Sequence, residues 1–277
     1  MSSVWPFAVP VLTASGCGGT GRELASYGGL GDLGGFVTRS ITLHARPGAR
    51  GPRIVESPSG LVNAIGLQNP GVEAFLAEEL PVLLELGATV VASIAGHSLG
   101  EYAEVARALG RATGVVALEV NLSAPDASGA GVFDIREPFQ AASVVAACRR
   151  DLPGGVLVLA KLRNDAQRVV ETARAVAEAG ADAVVVGNAV PAAMPDGRPG
   201  GLSGPAIRPL ALRCVSLAVD ALPGTPVIGA GGIMDAADAR AFLDAGARAV
   251  QVGSALFHDP TAAHRIAAAL AAGGEPT

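Results

Sequence analysis

One lysine, Lys161, stands among the twenty lysine and arginine residues of this 277-residue chain. A surface site that needs only a solvated cation tolerates either residue. A lysine kept against such a bias points to a position that needs a compact ammonium, not a planar fork. Such a group can balance charge that develops on a bound ring, or form a Schiff base with a carbonyl. Two further segments carry chemistry. Ile228-Gly229-Ala230-Gly231-Gly232-Ile233 and Val250-Gln251-Val252-Gly253-Ser254-Ala255 each run from an apolar stretch into a glycine turn. Backbone N–H groups at such turns cradle phosphate, and Ser254 adds a hydroxyl. Arg39 and three of the five asparagines, Asn63, Asn121 and Asn188, supply further polar groups. The sequence alone leaves the ligand open among a flavin mononucleotide, a sugar phosphate and a pyridoxal phosphate held by Lys161.

These residues need elements to position them. Eight short runs rich in β-branched residues recur at Val9–Ala14, Gly35–Arg39, Thr89–Ala95, Val115–Asn121, Val156–Lys161, Ala183–Gly187, Pro226–Ala230 and Ala249–Gly253. Most are continuously apolar, the pattern of strands buried on both faces. Amphipathic stretches separate them: Glu73–Leu86, Gly100–Leu109, Pro138–Asp151, Ala166–Ala179, Ile207–Ala221, Asp235–Ala245 and Pro260–Ala272. Alternation of this kind predicts a parallel sheet, and eight units predict a (β/α)₈ TIM barrel forming one domain over residues 1–277. Two Pro- and Gly-rich inserts, Ser40–Pro70 and Asn188–Pro205, follow strands and are expected as long loops over the C-terminal face, where barrel enzymes work. Lys161, Asn121 and both glycine turns fall at strand ends on that same face.

Composition narrows the partners. The net charge is −5 and the charged fraction 16%, with no basic run, so neither nucleic acid nor an anionic membrane is expected. No apolar stretch is long enough to span a bilayer, and Met1–Pro6 has no signal-peptide character. Cys17, Cys148 and Cys214 are odd in number and far apart. The expectation is reduced thiols in a cytoplasmic protein. The four histidines (His44, His97, His258, His264) show no metal-binding spacing, so no metal is expected. His97 follows the third strand and could shuttle a proton, though a histidine near a helix start is more often a surface group. Trp5 and Tyr27 read as packing residues.

Long motifs then carry a resemblance. Asn63-Ala64-Ile65-Gly66-Leu67-Gln68-Asn69-Pro70-Gly71, Gly201-Leu202-Ser203-Gly204-Pro205-Ala206-Ile207, Gly231-Gly232-Ile233 and Gly34-Gly35-Phe36-Val37-Thr38-Arg39-Ser40-Ile41-Thr42 resemble the dihydroorotate dehydrogenase family, in order and over nearly the whole chain. The likeness is to the class 1 branch, whose members lack the membrane-associating helix. It implies a barrel that holds FMN and runs ping-pong redox chemistry on a small ring. It also implies a homodimer and, in one branch, a separate electron-transfer subunit. Carried over by motif, the FMN contacts are Ala14, Ser15, Ser40, Asn121, Lys161, Gly204, Gly231, Gly232, Gly253 and Ser254. The substrate contacts are Arg39, Asn63, Ile65, Gly66, Leu67, Asn121, Asp126 and Asn188.

The departures cluster. Where the family's catalytic loop reads Asn-x-Ser-Cys-Pro-Asn, this chain reads Asn121-Leu122-Ser123-Ala124-Pro125-Asp126. Ala124 cannot accept a proton, and loss of a general base costs about 10²–10⁴-fold. An ionised Asp126 accepts but cannot donate a hydrogen bond. The usual lysine is Arg39, which could clamp a carboxylate, and Ala189 replaces a hydroxyl residue. The flavin motifs are kept and four substrate-pocket positions are changed, which implies a small cyclic substrate other than dihydroorotate. Two alternatives accompany this reading: an authentic dihydroorotate dehydrogenase whose base has moved to Ser123, Asp126 or Cys17, and a flavin-binding subunit without catalysis of its own.

Overall fold

The computed structural model describes residues 5–123, 135 and 137–273. Its strands, in chain order, are β1 (Val11–Thr13), β2 (Phe36–Val37), β3 (Ile54–Ser57), β4 (Gly60–Asn63), β5 (Val90–Ile94), β6 (Val115–Asn121), β7 (Leu157–Leu162), β8 (Ala183–Val186), β9 (Val190–Ala193), β10 (Pro199–Ser203), β11 (Val227–Ala230) and β12 (Ala249–Val252). Eight of them form one sheet in the order β1-β12-β11-β8-β7-β6-β5-β2, with parallel neighbours throughout. A parallel bridge between Leu12 and Gly35 joins β1 to the approach of β2 and closes the barrel. All eight predicted strands are present; Val115–Asn121 is matched outright, Val156–Lys161 is shifted by one residue to Leu157–Leu162, and the others are shortened at one or both ends.

The apolar runs divide by strand periodicity, with alternate residues facing opposite sides. Leu118, Val120, Val158, Ala160, Val184 and Val186 belong to the outer core that packs under the helices. Ala117, Leu157, Leu159, Ala183, Val185, Ile228 and Ala249 fill the barrel interior, with Phe7 and Leu12. Trp5 meets Phe7 edge-on at 4.9 Å, and Arg248 lies over the Trp5 ring at 4.8 Å, so Trp5 is a packing residue as expected. Tyr27 is not: it is 56% exposed, because the chain around it runs through a turn on the surface.

The inserts differ from bare loops. They supply β3, β4, β9 and β10, which pair antiparallel as a second sheet in the order β3-β4-β10-β9. Backbone groups that a loop would leave to water are thereby paired, which holds both inserts across the C-terminal mouth. The stretch expected as one helix over Glu73–Leu86 is divided by a π-helical turn at Phe75–Glu79. Such turns insert an extra residue and are frequent where function needs a re-aimed side chain. Here the turn ends on Glu79.

Candidate active site

The barrel interior changes character along its axis. Toward the N-terminal end the inward residues are Ala117, Leu157 and Ala249. Two residues further on, the same period gives Glu119, Leu159 and Gln251, and Lys161 follows on β7. Lys161 Nζ donates to Glu119 Oε1 at 3.1 Å and to Gln251 Oε1 at 3.0 Å, and Gln251 Nε2 donates to the other carboxylate oxygen of Glu119. Glu119 is fully buried, and Lys161 is 5% exposed. An ammonium has three protons to donate. Two are taken by this shelf, and Lys161 and Gln251 both line the cavity above it. Sequence reading missed Glu119 and Gln251. A signal existed: each is a polar residue inside an apolar strand, in phase with a mouth residue two positions on, Asn121 and Gly253.

A chain of polar side chains crosses the rim. Ser93 Oγ and Ser40 Oγ lie 3.0 Å apart, and Asn121 Nδ2 donates to Ser40 Oγ at 3.1 Å. Asn188 Nδ2 donates to Asn121 Oδ1 at 3.2 Å and to Ser123 Oγ at 2.9 Å. Asn63 Nδ2 donates to the Gly201 carbonyl at 3.1 Å, tying β4 to β10 beside the same opening. Buried networks of this kind fix each amide in one orientation when every member is satisfied.

Above these groups lies a cavity of about 370 Å³, within the range of small-ligand pockets. Its wall includes Ala14, Ser15, Arg39, Ser40, Asn63, Ile65, Leu67, Asn121, Lys161, Asn188, Gly204, Gly231, Gly232, Gly253 and Ser254. Fifteen of the sequence-expected contacts therefore meet in one place. Gly66 is not part of that wall; its carbonyl accepts from Arg46 Nε at 3.4 Å instead. Ser123 stands behind Asn188, as its hydrogen-bond partner, and is also absent from the wall. Asp126 and Ala124 lie outside the described residues. His97 is exposed and pairs with Arg46 and Glu101, so it is a rim surface group.

Two wall residues behave differently from the sequence expectation. Arg39 is not a free clamp: its Nη2 donates to Glu79 Oε1 at 2.7 Å, with both side chains partly buried. Burial pushes the Glu79 carboxyl above its ordinary range, against the pull of the Arg39 guanidinium. Cys17 does reach the wall, but desolvation pushes its thiol up to about 11, with Lys161 pulling the other way. A thiol pushed up in this way favours its protonated form, which argues against Cys17 as the relocated base.

The wall also depends on missing side chains. A Cβ at Gly16 would meet nothing within 4 Å. At Gly187, φ is +133° and a Cβ would stand 1.9 Å from the Ala230 carbonyl oxygen. Gly187→Ala should therefore cost more than about 2 kcal/mol in urea unfolding, combining left-handed strain with a backbone clash. An unchanged midpoint would mean that the β8 end is laxer than described.

A closed parallel barrel with a buried ammonium, polar rim and glycine turns around one mouth cavity has the architecture of a (β/α)₈-barrel protein with a ligand site at its C-terminal face. The comparisons narrow the class. The family model for dihydroorotate dehydrogenase matches residues 4–273, and the chain belongs to that family. The dihydroorotate dehydrogenase B (NAD(+)) catalytic subunit of Trichlorobacter lovleyi is 46% identical over 267 residues, covering 93% of this chain and 87% of the relative. That of Anoxybacillus flavithermus is 41% identical over 274 residues, covering 95% and 86%. Among solved structures, DHODH from Eimeria tenella in complex with ferulenol superposes with a TM-score of 0.81 at 22% identity, covering 94% of this chain and 80% of that one. That likeness supports the fold. Among the described residues, no helix is long and apolar enough to cross a membrane, and no group of three acidic, His or Cys side chains is placed to hold a metal.

Proposed function

We propose that this chain is an FMN-dependent oxidoreductase that acts on a C–C bond of a small cyclic substrate. The observation that carries the reading is Lys161, seated on Glu119 and Gln251 beneath the mouth cavity. The chemistry of the wall fits FMN. Glycine turns at Gly231-Gly232 and Gly253-Ser254 offer backbone donors to a phosphate. Open space stands beside Gly16 on the same wall. When bound, the flavin supplies a two-electron centre that exchanges hydride with the substrate.

The chain's own residues do the rest. Lys161 keeps one N–H for the ring, a positive group where reduction adds negative charge. Glu119 and Gln251 hold that ammonium in place. Asn121 keeps one N–H for the substrate, and Asn188, whose N–H groups go to Asn121 and Ser123, holds it in place and offers its amide oxygen. Ala14, Ser15, Ser40 and Gly204 complete the cofactor wall. Ala124 stands where the family carries its base, so the reading is a substrate other than dihydroorotate. The printed names of the relatives favour a second reading, authentic dihydroorotate oxidation with NAD⁺ as acceptor. The family likeness favours a cytoplasmic homodimer, and the relatives' printed name, catalytic subunit, favours a separate electron-transfer subunit as partner. The test is direct: the purified protein should be yellow and release FMN on denaturation. A colourless protein that takes up no flavin on reconstitution would reject the proposal.

A further inference from the structure

The cations on the cavity wall, among the described residues, are Arg39 and Lys161, and each faces a carboxylate. Lys161 is matched by Glu119 and Arg39 by Glu79. The Arg39 corner carries more acid still. Glu23, on the short helix Arg22–Ala25, lies within electrostatic reach of both Arg39 and Glu79, and Glu78 adjoins Glu79. Glu23 also stands against the wall at Gly19, where a Cβ would lie 2.6 Å from its Oε2. The corner's formal charge is therefore no longer positive.

The geometry of the pair matters as much as its charge. Arginine captures a carboxylate best with two parallel N–H groups. The nitrogen that Glu79 holds, Nη2, takes part in both of the guanidinium's two-point edges. A second carboxylate would have to share Nη2 with Glu79, whereas the buried Nε–H, which has no partner, suits one neutral acceptor. Glu79 reaches this place because the π-helical turn Phe75–Glu79 ends on it.

Resting on the flavin-site reading above, we propose that Glu79 determines specificity: by holding Arg39 it selects a neutral ring ligand that offers a carbonyl or hydroxyl oxygen, and it disfavours a ring carboxylate. A carboxylate entering this corner must displace Glu79 from Arg39 or share the guanidinium with it, next to Glu23. A neutral carbonyl faces neither cost.

The experiment is calorimetric titration of the purified protein, with its flavin content measured first, against two ligands. Orotate carries the ring carboxylate; uracil is the same ring without it. In the unmodified protein uracil should bind at least as tightly as orotate. Glu79→Gln keeps a hydrogen-bond acceptor for Arg39 but removes the charge. It should tighten orotate by about tenfold or more, the scale of one charge-assisted hydrogen bond, and leave uracil within about twofold. Glu23→Gln, an exposed change that leaves the fold alone, should move orotate in the same direction by less. Tighter binding of orotate than of uracil by the unmodified protein would overturn the proposal, as would equal effects of Glu79→Gln on the two ligands. The Glu23 variant keeps the test readable should Glu79→Gln fail to fold. Absence of flavin counts against the function proposed above, while the ranking of the two ligands still tests Glu79.

Discussion

Lys161→Met should cost about 3–5 kcal/mol of stability, because it leaves the Glu119 carboxylate buried without its counter-charge. The carboxylate is fully buried and accepts from both Lys161 and Gln251. Removing the ammonium leaves one amide donor for a full negative charge. Glu119→Leu should cost less, since Lys161 borders the cavity and can recruit water there. The double change Lys161→Met with Glu119→Leu should recover most of the loss, because replacing both partners of a buried pair by apolar groups is often neutral. Urea unfolding of the four proteins, each without added flavin, measures this as a double-mutant cycle. A loss under about 1 kcal/mol for Lys161→Met would mean that the shelf is solvated and that the pair contributes as a surface pair does. The same variant should bind FMN more weakly, which separates the structural role of Lys161 from its role toward the ring.

The fold was legible because its signal is repetitive. Eight β-branched runs and the helices between them gave the barrel, and glycine or asparagine at the strand ends marked the mouth. The mouth residues followed from that placement: Lys161, Asn121, Asn188, Gly231 and Gly253 all stand on one wall. What sequence reading lost was partnership across the barrel. Glu119, Lys161 and Gln251 lie on three strands separated by 42 and 90 residues from the lysine, and local pattern carries no information about such pairs. Arg39 and Glu79 are 40 residues apart and meet through a π-helical turn that the helical periodicity did not signal. The inserts were read as loops because Pro and Gly dominate them. Their pairing as a second sheet depends on β4 meeting β10, which are 138 residues apart at the Asn63–Gly201 contact. Gly66 was carried over by motif and lies off the wall, because a motif records neighbours in sequence and not which side of the chain faces the ligand.

On the function proposed, the mouth divides into a flavin wall that this chain keeps and a substrate corner that it has changed. Three separate features bear on the corner. Ala124, which the proposal places at the family's base position, offers no proton acceptor. Cys17, the thiol on the wall, is held protonated by burial. Arg39 is engaged by Glu79. Loss of a general base costs about 10²–10⁴-fold in rate, and restoring it by Ala124→Cys should recover little while Glu79 still disfavours the substrate carboxylate. Anaerobic rapid mixing of the flavin-loaded protein with dihydroorotate at neutral pH tests the division most directly. The account predicts that the visible flavin absorbance persists, or bleaches about 10²–10⁴-fold more slowly than in a family member that carries the cysteine. Complete bleaching at the rate of such a member would contradict it, and would place a working base and a carboxylate site in this mouth.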